Sequence, residues 1–134
     1  MTTRPRLDSL IFEVTQRYNH ACLHCYNVWQ AEPSLLAARS PQGQLDTART
    51  LAVLGMALDE IGCRHVTITG GEPLLRRDLS AILDFLRKRN VRISLISNGR
   101  LLTDSTAASL IQRGVGAFEL PLLSHEREIH DRLS

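Results

Sequence analysis

The chain has 134 residues, of which 43% are hydrophobic, a size and composition typical of one small globular domain. Sixteen Lys and Arg residues against fourteen Asp and Glu residues give a net charge of +2, too small to indicate a nucleic-acid or anionic-membrane partner. The amino terminus lacks the apolar core of a signal peptide, and no run of about 18 apolar residues occurs, so no membrane span is expected. Three cysteines, an odd number, favour metal or redox use in the cytoplasm over a disulfide framework.

The first half of the chain predicts one strand and one helix. Leu10–Val14 is rich in β-forming residues and is predicted as the first strand. Residues 31–44 contain two prolines and a glycine, which predicts an irregular surface excursion. Asp46 is a suitable N-cap for a helix whose apolar residues recur at three- and four-residue steps until Gly62.

The second half repeats this alternation of strand and helix. His65–Thr69 is the second predicted strand, and Asp78 is predicted to cap a helix that ends near Asn90. The remaining predicted elements are a strand over residues 91–97, a helix from Thr103 or Asp104 to Gly114, a strand over Ala117–Leu120, and the start of a helix after Ser124.

Strands that alternate with helices through short connections predict an α/β fold with a parallel sheet. Four such units resemble half of a (β/α)8 barrel, and a closed barrel needs roughly 200 residues or more. We therefore expect residues 1–134 to form a single, incomplete barrel domain with an open sheet of four βα units. In such a sheet the edge of the fourth strand would be unpaired and an apolar concave face would be uncovered. Both features favour self-association, or docking on a partner, through the open edge.

Two of the three cysteines follow the first strand as Cys22-x-x-Cys25, a spacing that lets both thiolates reach one metal centre. Zinc would need two more ligands, for which His20 and His24 are the local candidates. A thiol-redox pair is a further alternative, although no helix start is evident after Cys25. Cys63 precedes the second strand and is predicted to be a small buried residue.

The second strand ends in Gly70-Gly71-Glu72-Pro73. Such a sequence is common in ordinary turns. At the carboxyl end of a parallel strand, however, glycines allow close approach of the main chain to a ligand, and Glu72 supplies an anion for a cationic group. The segment therefore also predicts a cradle for an ammonium group.

Together these two segments resemble the radical S-adenosylmethionine (radical SAM) superfamily, whose signature is Cys-x-x-x-Cys-x-x-Cys followed by a Gly-Gly-Glu-Pro turn. The resemblance implies that Cys22 and Cys25 hold a 4Fe-4S cluster and that Gly70 to Pro73 bind the amino group of S-adenosylmethionine. It also implies cofactor contacts from Ser97, Asn98 and the main chain of His24. Tyr18 occupies the position of the first cysteine, and a phenol with a pKa of about 10 is a poorer metal ligand than a thiol at neutral pH.

The resemblance implies an enzyme core, or a fragment of one, that cleaves S-adenosylmethionine reductively and generates a 5′-deoxyadenosyl radical. The segments Tyr26–Trp29 and His130–Leu133 resemble the peptide-modifying branch, which implies a peptide or protein substrate. The alternative, favoured by Tyr18, is a non-catalytic homologue that lost the cluster and acts as a binding or assembly module.

Overall fold

The computed structural model describes residues 6–17, 19 and 44–133. Within these residues the chain alternates strands and helices, with one short 3-10 turn after the second strand. The elements are β1 (Ser9–Glu13), α1 (Thr47–Asp59), β2 (His65–Thr69), a 3-10 turn (Pro73–Leu75), α2 (Leu79–Lys88), β3 (Arg92–Ile96), α3 (Asp104–Gln112), β4 (Val115–Glu119) and α4 (Arg127–Leu133).

The four strands form one parallel sheet in the order β1-β2-β3-β4. Leu10 pairs with Val66, and Val66 pairs with Ile93, so neighbouring strands run almost in step. The pairing of β3 with β4 shifts by one residue after Ile93, because Ile93 pairs with Val115 and Ser94 pairs with Ala117. The predicted open α/β fold of four βα units is confirmed, and all four strands end at the same rim.

The hydrophobic core lies between the helices and one face of the sheet. Because side chains alternate along a strand, every second residue of each strand points toward the helices. The core cluster includes the strand residues Val66, Ile68, Ile93 and Leu95, together with Val14 directly after β1, and α2 contributes Ile82, Leu83 and Leu86. Burying each of these side chains stabilises the fold by about 1.5–3 kcal/mol, so the core holds the rim of the sheet in a fixed geometry.

The opposite face of the sheet is mostly polar, so the prediction of an apolar concave face is wrong. Thr67 pairs with Ser94, and both lie on the face that alternates with the core residues. Glu13 and Glu119 occupy the same face at the carboxyl ends of the two outer strands. Strand β2 reads Val-Thr-Ile-Thr, and its two threonines place hydroxyl groups where an apolar surface was expected.

The helix starts agree with the capping residues in the sequence. Asp46 accepts a hydrogen bond from the Arg49 backbone N–H at 2.8 Å, and Thr103 accepts one from the Thr106 backbone N–H at 3.2 Å. Both side chains satisfy N–H groups that have no partner within the first helical turn. Asp78 is the residue before α2 as predicted, but its side chain makes no capping bond.

Of two further predictions, one differs from the structure by two residues, and the other concerns residues that the structure does not describe. Strand β4 begins at Val115, two residues before the predicted start, because Val115 pairs with Ile93. The predicted excursion at residues 31–44 lies outside the described residues except for Gln44. None of the helices in the described ranges is long and apolar enough to cross a membrane.

Candidate cofactor site at the carboxyl rim of the sheet

The cysteine-bearing stretch, residues 15–44, begins directly beside the turn that follows β2. Backbone hydrogen bonds continue the β1–β2 pairing past the ends of both strands. The Gly71 N–H donates to the Thr15 carbonyl at 2.8 Å, and the Glu72 N–H donates to the Arg17 carbonyl at 2.7 Å. The chain that precedes the cysteines, as far as Arg17, therefore lies beside the Gly-Gly-Glu turn at one rim of the sheet.

The two glycines of this turn are required by the neighbouring backbone. A Cβ atom on Gly70 would lie less than 3.0 Å from the Thr15 carbonyl oxygen, and one on Gly71 would meet the Arg17 carbonyl oxygen as closely. Gly70 also has a φ of +147°, which residues with side chains rarely adopt. The absence of Cβ atoms thus allows the β1 extension to pack against the turn.

Glu72 lies at the centre of the rim with its carboxylate fully buried. Its Oε1 accepts hydrogen bonds from the Leu74 N–H at 3.1 Å and from the Ser97 hydroxyl at 2.9 Å. Its Oε2 accepts one from the Asn98 N–H at 2.8 Å. The carboxylate therefore ties the turn after β2 to the end of β3, while Pro73 opens the 3-10 turn that follows it.

The end of β3 in turn contacts the start of the cysteine-bearing stretch. The Asn98 side-chain amide donates to the Asn19 side-chain oxygen at 2.7 Å, and the Arg100 guanidinium donates to the Asn19 carbonyl at 3.4 Å. Ser97 also accepts a bond from the Gly99 N–H at 3.0 Å. Asn19 is three residues before Cys22, so the turns that follow β2 and β3 both contact the chain that precedes this cysteine.

The rim also presents acceptor groups that the described residues leave open. A carboxylate has about four lone-pair sites, and the three donors on Glu72 leave one on Oε2. The carbonyl oxygens of Gly70 and Gly71 receive no hydrogen bond from any residue in the described ranges, and both residues are half-buried. A negative charge beside carbonyl oxygens with no donor among the described residues suits a primary ammonium group, which has three N–H donors.

No local motif predicts the ion pair just behind this rim, in which Arg76 is buried and Asp78 is partly exposed. Arg76 is 4% exposed, and its Nε donates to Asp78 Oδ1 at 2.7 Å while its Nη2 donates to Asp78 Oδ2 at 3.0 Å. Hydrogen bonding from the Arg76 guanidinium, helped by the Thr47 hydroxyl, lowers the pKa of Asp78 to about 2. No local motif marks Arg76, because its other partners lie far away in the sequence.

The predicted metal ligands Tyr18, Cys22 and Cys25, together with His24, lie outside the described residues. Within the described ranges there is no group of three or more His, Cys, Asp or Glu residues suited to hold a metal ion. Cys63 is fully buried, as predicted, and its thiol donates to the His65 carbonyl at 3.1 Å. It lies at the amino end of β2, so the length of a strand separates it from the rim.

Comparison with solved structures supports the architecture. The fold is similar to that of BtrN in complex with AdoMet and 2-DOIA, with a TM-score of 0.64 and 23% identity over 97% of this chain and 53% of that chain. A second crystal structure, of selenomethionine BtrN in an open conformation, matches with a TM-score of 0.63 and 21% identity over 93% of this chain and 55% of that chain. At this identity the similarity shows the fold alone.

Sequence comparison matches residues 12–134 to the family model of the Radical SAM superfamily. A probable GTP 3′,8-cyclase from Methanopyrus kandleri is 35% identical over 94% of this chain and 38% of its own. An AdoMet-dependent heme synthase from Oleidesulfovibrio alaskensis is 28% identical over 95% and 31%. A PqqA peptide cyclase from Gluconobacter oxydans is 33% identical over 84% and 29%. The chain thus spans about a third of the length of these curated relatives.

Proposed function

Because the chain belongs to the radical SAM superfamily, we propose that it forms the amino-terminal part of a radical SAM enzyme core. In this proposal Cys22 and Cys25, with Tyr18 in the position of the first cysteine, hold a 4Fe-4S cluster. When bound, such a cluster would supply the electron for reductive cleavage of S-adenosylmethionine to a 5′-deoxyadenosyl radical. The protein supplies ligands, orientation and exclusion of water.

The rim after β2 supports the cofactor part of the proposal. Gly70 and Gly71 offer carbonyl oxygens, and Glu72 offers a buried negative charge with one acceptor site that no donor in the described ranges occupies. These groups suit the methionine ammonium of S-adenosylmethionine, and Pro73 fixes the turn that carries them. Ser97 and Asn98, directly after β3, donate hydrogen bonds to Glu72, so their contribution to cofactor binding includes orienting its carboxylate.

The observation that carries the proposal is the backbone pairing of Thr15 and Arg17 with Gly71 and Glu72. It brings the chain that leads to the cysteines beside the ammonium-binding rim, where a cluster ligand and a cofactor group have to meet. Thiolate ligands also require a reducing compartment, so we place the protein in the cytoplasm.

The proposal is tested by anaerobic reconstitution with iron and sulfide, followed by reduction in the presence of S-adenosylmethionine. We expect bound iron and formation of 5′-deoxyadenosine, with more of both in a Tyr18→Cys variant because a thiolate is a better iron ligand than a phenol at neutral pH. A Cys22→Ser, Cys25→Ser double variant is the matched control. Absence of iron from both the wild-type chain and Tyr18→Cys would contradict the proposal.

Tyr18 favours a second candidate, a non-catalytic module that keeps the cofactor rim without the cluster. Replacing one of three thiolates by a phenol weakens a site whose affinity depends on the full ligand set. This candidate predicts S-adenosylmethionine binding that is independent of iron and no 5′-deoxyadenosine. The radical enzyme predicts that binding depends on iron.

We further propose a peptide substrate for the whole protein. PqqA peptide cyclases from two organisms match at 33% and 31% identity, although GTP 3′,8-cyclases match at similar identity. Titration of GTP into the reconstituted chain is the discriminating measurement, because saturable GTP binding would contradict the peptide assignment. Absence of GTP binding, together with deuterium transfer from a labelled peptide to 5′-deoxyadenosine, is the expected result.

A further inference from the structure

A single buried guanidinium contacts the chain on both sides of the cysteine-bearing stretch. Arg76 Nη1 donates to the carbonyl oxygen of Val14, the residue directly after β1. Its Nη2 donates to the carbonyl oxygen of Leu45 at 3.1 Å, two residues before α1. Val14 and Leu45 therefore flank residues 15–44, which include Tyr18, Cys22 and Cys25.

The rest of the guanidinium is held in place by side chains of α1 and of the turn before α2. Thr50 accepts from Nη2 at 3.0 Å, and Asp78 accepts from both Nε and Nη2. Asp78 also accepts a bond from the Thr47 hydroxyl. Planar, forked hydrogen bonding of this kind fixes the orientation of an arginine, and a lysine cannot reproduce it.

The position of Arg76 in the sequence links this clamp to the cofactor rim. It is the residue that follows the 3-10 turn Pro73–Leu75, so the same loop carries the Gly-Gly-Glu turn at one end and the guanidinium at the other. An ion pair with a buried arginine is weak evidence for a purely stabilising role, because apolar residues of similar volume often stabilise a protein as well or better. The geometry instead links one loop to both ends of the stretch that carries the cysteines.

We propose that Arg76 is a positioning residue that fixes both ends of the cysteine-bearing stretch against the Gly-Gly-Glu turn and thereby controls retention of the cluster. The proposal rests on the proposed function for its cluster part. Its structural part, the alignment of residues 14–17 with the turn, stands independently. The two parts therefore need separate measurements.

The first measurement is hydrogen exchange of the apoprotein by mass spectrometry, which needs no iron. In Arg76→Gln we expect the Gly71 and Glu72 amides, which donate to Thr15 and Arg17, to exchange at least roughly 10-fold faster than in the wild-type chain. Ile82→Val is the matched control, because it removes one methyl group from the fully buried face of α2, destabilises the fold modestly and leaves the clamp intact. Equal exchange at these two amides in Arg76→Gln and Ile82→Val would overturn the proposal.

The second measurement is the rate at which a chelator removes iron from the reconstituted chain. Residues that orient metal ligands typically change metal affinity by roughly 10- to 100-fold, so we expect iron loss at least roughly 10-fold faster from Arg76→Gln than from Ile82→Val. Equal rates would overturn the cluster part. If the wild-type chain binds no iron, the proposed function and the cluster part both fail, and the exchange result alone decides the structural part.

A third variant keeps the test decisive if Arg76→Gln does not fold. Arg76→Lys retains the positive charge beside Asp78 but replaces the planar, forked donors of the guanidinium by a single ammonium group. It should reproduce the fast exchange of the Gly71 and Glu72 amides while preserving the fold. If Arg76→Lys folds and its Gly71 and Glu72 amides exchange as slowly as in the wild-type chain, the proposed role of the guanidinium is contradicted.

Discussion

The Ser97 hydroxyl donates to Glu72 Oε1 at 2.9 Å and connects the end of β3 to the turn after β2. The other carboxylate oxygen accepts a hydrogen bond from the Asn98 N–H, so the two residues directly after β3 hold one fully buried acid. Buried polar networks of this kind are rigid when every member has a partner. The rim that we assign to the cofactor is therefore ordered by the protein itself.

Replacing Glu72 by Gln tests this network. The new amide group turns one acceptor into a donor, which must face either the Asn98 N–H or the donors on Oε1. We expect a loss of about 1–3 kcal/mol in the free energy of unfolding, measured by urea denaturation. Glu60→Gln, an exposed change just after α1, is the control. Equal stability of the two variants would contradict the network.

Alanine substitutions at two glycines should change stability in opposite directions. A Cβ at residue 71 meets the Arg17 backbone at less than 3.0 Å, so Gly71→Ala should lower the free energy of unfolding by about 1–3 kcal/mol. A Cβ at residue 55, within α1, lies 3.7 Å from the nearest atom, on Phe85, so Gly55→Ala should raise it by about 0.5–1 kcal/mol. Thermal denaturation of both variants checks the pair, and a neutral Gly71→Ala would show that the turn does not pack as described.

The ion pair of Arg76 and Asp78 predicts a stability loss in acid. The pKa of Asp78 falls from 3.8 to about 2 on folding, so the folded state favours the ionised form. Its contribution, on the order of 2 kcal/mol, is present above about pH 4 and is lost as the pH falls toward 2. The urea concentration at the midpoint of unfolding should therefore decrease as the pH is lowered from about 4 to about 2.

The control for this pH dependence is an exposed ion pair. Asp78→Asn should flatten the decline between pH 4 and 2, whereas Asp59→Asn, which removes the exposed partner of Arg89, should leave it unchanged. A steep decline that persists in Asp78→Asn would assign the effect to other carboxylates.

The sequence predicted the elements whose local signals agree with their tertiary surroundings. His65–Thr69 is a run of β-forming residues, and Asp46 and Thr103 are strong N-caps, so strand β2 and two helix starts were placed correctly. The start of β4 was missed because Gly116 weakens the local strand signal, while pairing with Ile93 extends the strand.

The parts of the site that were missed depend on contacts between distant residues. Arg76 receives its role from Val14, which is 62 residues away, and from Leu45, which is 31 residues away, and no spacing rule connects them. The network around Glu72 likewise joins residues 25 and 26 positions apart. By contrast, Val-Thr-Ile-Thr alternation in β2 was visible and would have predicted the polar second face.

The most direct test of the central claim is calorimetric titration of S-adenosylmethionine into the anaerobically reconstituted chain and into its Cys22→Ser, Cys25→Ser variant. If the cysteines and the Gly-Gly-Glu turn form one site, the cofactor should bind the reconstituted wild-type chain and lose at least roughly 10-fold in affinity in the variant. The same affinity in both proteins, or no binding to the reconstituted wild-type chain, would contradict a shared site at this rim.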